Sequence, residues 1–171
     1  MVDAQTISII FAGLSIGVAA IYYTLTLSSS QRAQKLQLET RQAQLFMQTY
    51  HKWIDKDLHL VNHKVQAYEW EDFDDFMGKY GPEVDMDAYS DFTRIMSFFE
   101  GIGVLIKRGL IDPYIVDDLM SMNIIRLWEK YEPLTISMRE YLNAPQAGEW
   151  WEYLYNTIKP IFEEQHPELK T

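Results

Sequence analysis

Cysteine is absent from the 171 residues, which excludes disulfide frameworks, thiolate zinc sites and thiol catalysis. Basic residues are scarce. Fifteen Lys and Arg stand against 25 Asp and Glu, a formal charge of −10, and that balance argues against general affinity for nucleic acid, whose phosphates need a basic face. Glycine and proline number only 8 and 6, and no stretch alternates apolar and polar residues as a half-buried strand does. Internal repeats and low-complexity tracts are missing too, so nothing looks fibrous or disordered. What is present is a sequence that is 47% hydrophobic and 14% aromatic, of a length that fits one modest core with an appendage.

The appendage is at the amino end. Residues 7–27 (ISIIFAGLSIGVAAIYYTLTL) hold 21 uncharged positions, enough at about 1.5 Å per residue to cross a hydrocarbon core of about 30 Å. Tyr22 and Tyr23 lie near the far end, where amphipathic rings favour the headgroup region. A cleaved signal peptide is the competing reading, since Val18-Ala19-Ala20 resembles a small-residue cleavage site, but such peptides begin with a basic segment and here only Asp3 precedes the span. Arg32, Lys35 and Arg41 follow it, so the rule that basic flanks stay cytoplasmic places residues 1–6 outside and the rest of the chain in the cytosol, at the cell membrane. A domain without cysteine or glycosylation sequons agrees with that face. Gly13 and Gly17 form a GxxxG pair suited to a homodimer seam or to docking another membrane subunit. Against this stands the general abundance of glycine in membrane helices.

Residues 28–54 contain no Pro or Gly, and Leu36, Ala43, Met47, Tyr50 and Ile54 recur at helical spacing, which predicts a juxtamembrane stalk over 28–56. Residues 28–64 carry a net charge of +3 and residues 65–171 one of −12. A basic collar near anionic lipid and an acidic body beyond it are the expected arrangement. In the body, 57–171, the pattern predicts a helix from Leu58 to Met77 closed by Gly78 and by Gly81-Pro82. A central helix follows from Tyr89 to Leu110, ended by Gly109. Asp112-Pro113 starts a helix that runs to Tyr131, with Pro133 a boundary or kink before 134–142. A last amphipathic helix carries Trp151, Leu154 and Ile158. The fold class is therefore all-α: one transmembrane helix, a stalk, and a cytosolic bundle of four or five helices.

Several constellations invite a chemical reading. His51, Asp55, His59 and His63 are spaced by four, so on an unbroken helix they would present a stripe of metal ligands. The break expected at 55–57 would split it, and the residue after His59 is Leu60 where a metalloprotease motif needs Glu. Glu69, Glu71, Asp72, Asp74 and Asp75 crowd one short run around Trp70 and Phe73. Counting from Asp72 puts Met77 where a calcium loop needs Gly, so the run reads as a solvated helix face with inward aromatics, or as a docking patch for a basic partner. Glu100 stands with Thr93, Ser97 and Lys107 on the narrow polar stripe of the central helix. An acid there calls for a partner, with Arg126 or Arg139 the candidates, unless it is a general base in an interhelical pocket. Gly101 and Gly103 lack the third glycine and preceding strand of a phosphate loop, and read instead as allowing close helix crossing beneath Trp128. Trp150 and Trp151, with Tyr153 and Tyr155, make the last helix aromatic on more than one face, which favours wedging into the core.

The span ending Ala20-Ile21-Tyr22-Tyr23-Thr24, then Thr40-Arg41-Gln42-Ala43-Gln44, Phe98-Phe99-Glu100-Gly101-Ile102-Gly103, Lys107-Arg108-Gly109-Leu110-Ile111-Asp112 and Trp128-Glu129-Lys130 with Pro133 and Arg139, together resemble a family of archaeal and bacterial single-span proteins. That family is catalogued as domain of unknown function 4760. The likeness covers nearly the whole chain, and Glu69-Trp70 with Glu149-Trp150 resembles its archaeal branch. The resemblance implies a membrane-tethered helical domain and supplies no catalytic residue or cofactor.

The reading that follows is a protein-interaction, scaffold or regulatory module with a membrane anchor and a protein partner or homodimer, whose patches show no assembled chemistry. The alternative is a membrane-anchored enzyme or sensor using the His51, His59 and His63 stripe with a metal, or Glu100 in a pocket.

Overall fold

The computed structural model describes residues 3–169. Met1 and Val2 of the expected outer terminus, and Lys170 and Thr171 of the expected bundle, lie outside the described residues. Six helices follow in order: α1 (Ala4–Trp53), α2 (Lys56–Ala67), α3 (Phe73–Tyr80), α4 (Met86–Lys107), α5 (Pro113–Tyr141) and α6 (Glu149–Gln165), with a 3-10 turn over Pro167–Leu169. No strand occurs among the described residues, as the absence of alternation predicted. The chain divides into two compact units, Met1–Arg41 and Gln42–Thr171.

The first unit is helical, and its apolar side chains, Phe11, Leu14, Ile16, Val18 and Ile21 among them, are exposed. Its hydroxyls return to their own helix: Ser15 Oγ donates to the Phe11 carbonyl and Thr24 Oγ1 to that of Ala20, both at 2.8 Å. Such bonds satisfy polar atoms without outside partners, the condition for residing in hydrocarbon. Among the described helices, α1 is long and apolar enough to cross a membrane, a test that a signal sequence also passes.

In the second unit, residues counted as stalk already belong to the core, with Phe46 and Trp53 buried and the Trp53 ring 5.3 Å from both Phe98 and Phe99. The break predicted at 55–57 is present. Asp55 leaves helical geometry and its carboxylate accepts the Asp57 N–H, starting α2. One expectation is corrected at this point, because Leu58 to Met77 is two helices. Asp72 has extended backbone and caps α3 by accepting the Asp75 N–H at 2.9 Å, so the chain turns between Tyr68 and Asp72. Of the two predicted terminators, Gly78 lies inside α3 and Gly81 ends it.

The central helix is as its spacing predicted. Phe92, Ile95, Phe99, Ile102 and Ile106 of α4 are buried at three- and four-residue intervals. It packs against α2 on one side and α6 on the other, while α6 also lies along α5. Gly109 (φ 65°) closes α4 with its N–H on the Ile106 carbonyl, a left-handed position that glycine takes without strain. Asp112 accepts the Tyr114 N–H and Pro113 opens α5, as expected. Pro133 neither breaks nor bounds a helix: α5 runs through it to Tyr141, and α6 runs through Pro160. Tertiary packing carries α5 past the bond that proline cannot make, since Tyr131, Leu134, Thr135 and Met138 around it are all buried.

Close approach of α6 to α4 depends on Gly103. A Cβ there would run into the main-chain carbonyl of Trp150, which packed backbone cannot yield. Gly101, by contrast, faces open space, and what crosses Gly103 is the Trp150 backbone where Trp128 was expected. Trp151 is wholly buried, stacked on Phe99 (5.5 Å) and edge-on to Trp128 (5.4 Å), while Trp150 is half-buried. The last helix is thus wedged into the core by one of its two tryptophans.

Candidate functional site

The acidic run is folded by its own side chains. Besides the Asp72 cap, Asp75 Oδ2 accepts the Glu71 N–H at 3.0 Å and Lys79 Nζ at 2.8 Å. The Lys79 bond, and then the Glu71 bond, hold the Asp75 carboxyl below the usual carboxylate range. Tyr80 Oη lies within 3.4 Å of both the N–H and the carbonyl of Glu69, and its ring stacks on Tyr68 at 4.3 Å. Trp70 is half-buried against Tyr131 and Phe76, and Phe76 is fully buried. Two of the five acids therefore build the turn and helix, whereas Glu69, Glu71 and Asp74 remain exposed.

Beside Asp74 the surface is apolar and concave. Phe73, Met77, Val84 and Tyr141 line a groove of about 270 Å³, completed by Gly81 and Pro82 and edged by Asp74 and Glu83. Val84 is 62% and Tyr141 63% exposed. The groove exists because the chain doubles back after α3. The Val84 and Asp85 N–H groups both donate to the Gly81 carbonyl at 2.9 Å, and at Gly81 a Cβ would strike the Met77 carbonyl. The acidic run was legible as a patch. Its apolar companions Val84 and Tyr141 were not, since they come from a loop and from the far end of α5.

Behind the same turn, Lys130 of α5 donates from Nζ to the carbonyls of Gln66 and Tyr68, both at 2.6 Å, and sits 5.0 Å over the Trp70 ring. It satisfies carbonyls at the end of α2, and burial pushes its ammonium below the ordinary lysine range. Tyr131 Oη donates to the Val65 carbonyl at 2.7 Å. In the sequence Lys130 stood only within the Trp128-Glu129-Lys130 motif, with no role assigned, and Tyr131 only as a helix boundary.

Glu100 has found a different partner from the one expected. Its Oε1 accepts the N–H groups of Trp150 and Trp151, both at 2.8 Å. Arg139 bonds the Ala147 carbonyl (2.8 Å) and pairs with Glu152 (2.6 Å), and Arg126 is exposed on an α5–α6 groove with Met122 and Phe162. The carboxylate accepts from two amides at the positive end of α6, where it caps the helix.

The histidine stripe is divided. His51 ends α1, Asp55 caps α2, and among the described residues no three His, Cys, Asp or Glu converge to hold a metal ion. His59 and His63 do meet, Nε2 to Nε2 at 3.1 Å. Gly13 and Gly17 have nothing within 4 Å of where a Cβ would stand.

A family model described as Domain of unknown function (DUF4760) matches residues 4–158. The chain belongs to this family. No curated protein and no solved structure matches it. The DUF4760 match runs from the first turn of α1 into α6, and so takes in the α3 groove and the Glu100 cap together. Its description assigns no activity, and the resemblance seen in the sequence is thereby settled at the level of family and not of reaction.

Proposed function

We propose that this chain is a membrane-tethered helical module whose α3 groove docks a basic segment of a partner protein. The observation that carries the reading is the pairing of Val84 and Tyr141, exposed and apolar, with Asp74 and Glu83 on the rim of the same groove. An apolar side chain flanked by Lys or Arg fits that pattern. The side chain fills the hollow while the cations meet the rim, and Glu69 and Glu71 extend the negative field along the approach. The tether rests on the uncharged span 7–27, and the cytosolic placement on Arg32, Lys35 and Arg41 after it. A scaffold or regulatory role follows from docking of this kind.

Asp72 and Asp75 fold the turn whereas Glu69, Glu71 and Asp74 are exposed, and the experiment uses that separation. Full-length protein is crosslinked in its own membranes, extracted in mild detergent and weighed by native mass spectrometry. The triple variant E69K/E71K/D74K is expected to lose the crosslinked partner while keeping the parent's helical circular dichroism. Partner recovery equal to the parent's would overturn the assignment.

A further inference from the structure

We propose that His59 and His63 form a two-imidazole chelate for a divalent late-transition ion such as Cu²⁺, Ni²⁺ or Zn²⁺. Both lie on α2, four residues apart, so one turn of helix places them on the same face. Their rings stand edge-on, 88° between planes with centroids 4.6 Å apart, and the two Nε2 atoms converge to 3.1 Å. Imidazole nitrogens bind such metals at about 2.0–2.1 Å. Two nitrogens 3.1 Å apart therefore subtend about 100° at an ion lying between them, which falls between the square-planar and tetrahedral values.

Two neutral rings satisfy the facing nitrogens with one N–H···N bond, whereas with each ring's proton on Nδ1 both Nε2 lone pairs are open to a single cation. Both side chains are exposed, so an ion held here keeps its remaining positions open to water or to a donor from another molecule. The break at Ile54–Asp55 assigns the site to these two residues. It leaves His51 on α1, and Asp55 spends its carboxylate on the Asp57 N–H. Neighbouring Lys64 is drawn away to Asp91 (3.0 Å), which removes the nearest cation in sequence from the chelate.

The test uses the full-length chain without a histidine tag, in detergent micelles and a non-coordinating buffer, titrated with Zn²⁺ by calorimetry and with Cu²⁺ by electron paramagnetic resonance. One ion per chain is expected, with two equatorial nitrogens in the copper spectrum. His59→Gln and His63→Gln are each expected to weaken binding at least tenfold, while His51→Gln leaves it unchanged. All three positions are exposed, so circular dichroism is expected to match the parent in every variant. Absence of binding, affinity indifferent to His59 and His63, or equal weakening by His51→Gln would each overturn the proposal.

Discussion

The Glu100 carboxylate of α4 lies 2.8 Å from the main-chain nitrogen of Trp151 and serves α6 as a capping group borrowed from another helix. The N-cap position of α6 is Gly148, at φ 71° and without a side chain to offer. A side chain at that position would run into the Thr135 methyl. The Trp150 and Trp151 amides of α6 therefore find their protein acceptor only once the helix is docked on α4, which couples forming the helix to packing it.

Removing that acceptor leaves two amides of a half-buried helix end without a partner. Glu100→Ala is expected to cost about 1–3 kcal/mol, the range for orphaned donors and lost caps. Glu100→Gln keeps an acceptor oxygen of the same reach and is expected to lose less. Hydrogen exchange at the amides of Trp150 and Trp151 distinguishes this local role from a general loss. Those amides should lose protection first in the Ala variant, ahead of α2.

The two glycines beside Glu100 separate in sign. Gly101→Ala meets open space and exchanges the poorest helix former but proline for the best, so a gain of up to about 1 kcal/mol is expected. Gly103→Ala drives a methyl into the Trp150 carbonyl and is expected to lose about 1–3 kcal/mol in spite of the same propensity gain. Urea titration followed by tryptophan fluorescence reads both, since Trp151 stacks on Phe99 at this crossing.

Much of this architecture could be read from the sequence, for identifiable reasons. Where one residue speaks for local structure, as Asp55, Gly109 and Asp112-Pro113 do, the expected boundary is the observed one. Where the outcome depends on what packs nearby, it failed. Pro133 sits inside an intact helix because Tyr131, Leu134, Thr135 and Met138 around it are buried, and of the two glycines predicted to close one helix Gly78 lies inside α3 while Gly81 ends it. The site divides in the same way. Five acids in one run announce a patch, but which of them cap α3 depends on where the helix starts, and the apolar half of the groove comes from Val84 and from Tyr141 far along the chain. Glu100 was singled out correctly as an acid needing a partner. Only the fold could show that the partner is a helix end, because main-chain amides leave no mark in a sequence.

Lys130 is expected to be harder to replace than an ordinary surface lysine. Lys130→Met keeps an unbranched apolar side chain but removes the ammonium over Trp70 and leaves the Gln66 and Tyr68 carbonyls unpaired, at an expected cost of about 1–3 kcal/mol. Tyr131→Phe removes one bond to Val65 and is expected to cost about 1 kcal/mol. The two residues serve adjacent carbonyls at one helix end, so a double-mutant cycle in urea should return a coupling above about 0.5 kcal/mol. Strict additivity would mean that the end of α2 is held by something else.

Asp117 of α5 gives the fold a pH dependence whose sign can be worked out. The residue is 2% exposed and its Oδ1 has no hydrogen-bond partner among the described residues. Burial raises its carboxyl above the ordinary range, and Asp118 adds to that, while the Ser121 hydroxyl and His166 oppose it. The folded protein therefore holds this proton more tightly than the unfolded chain does. The resulting stability is fully present below the unfolded value, about 3.9, and is lost as pH rises through the higher folded value. Asp117→Asn removes the charge and keeps the shape, and a buried neutral amide costs less than a buried carboxylate. The variant is expected to be more stable than the parent at neutral pH, with the difference vanishing in acid. Urea midpoints measured across that range check it. A parent whose stability relative to the variant stays flat with pH would mean that Asp117 is ionised in the folded protein and its Oδ1 is satisfied.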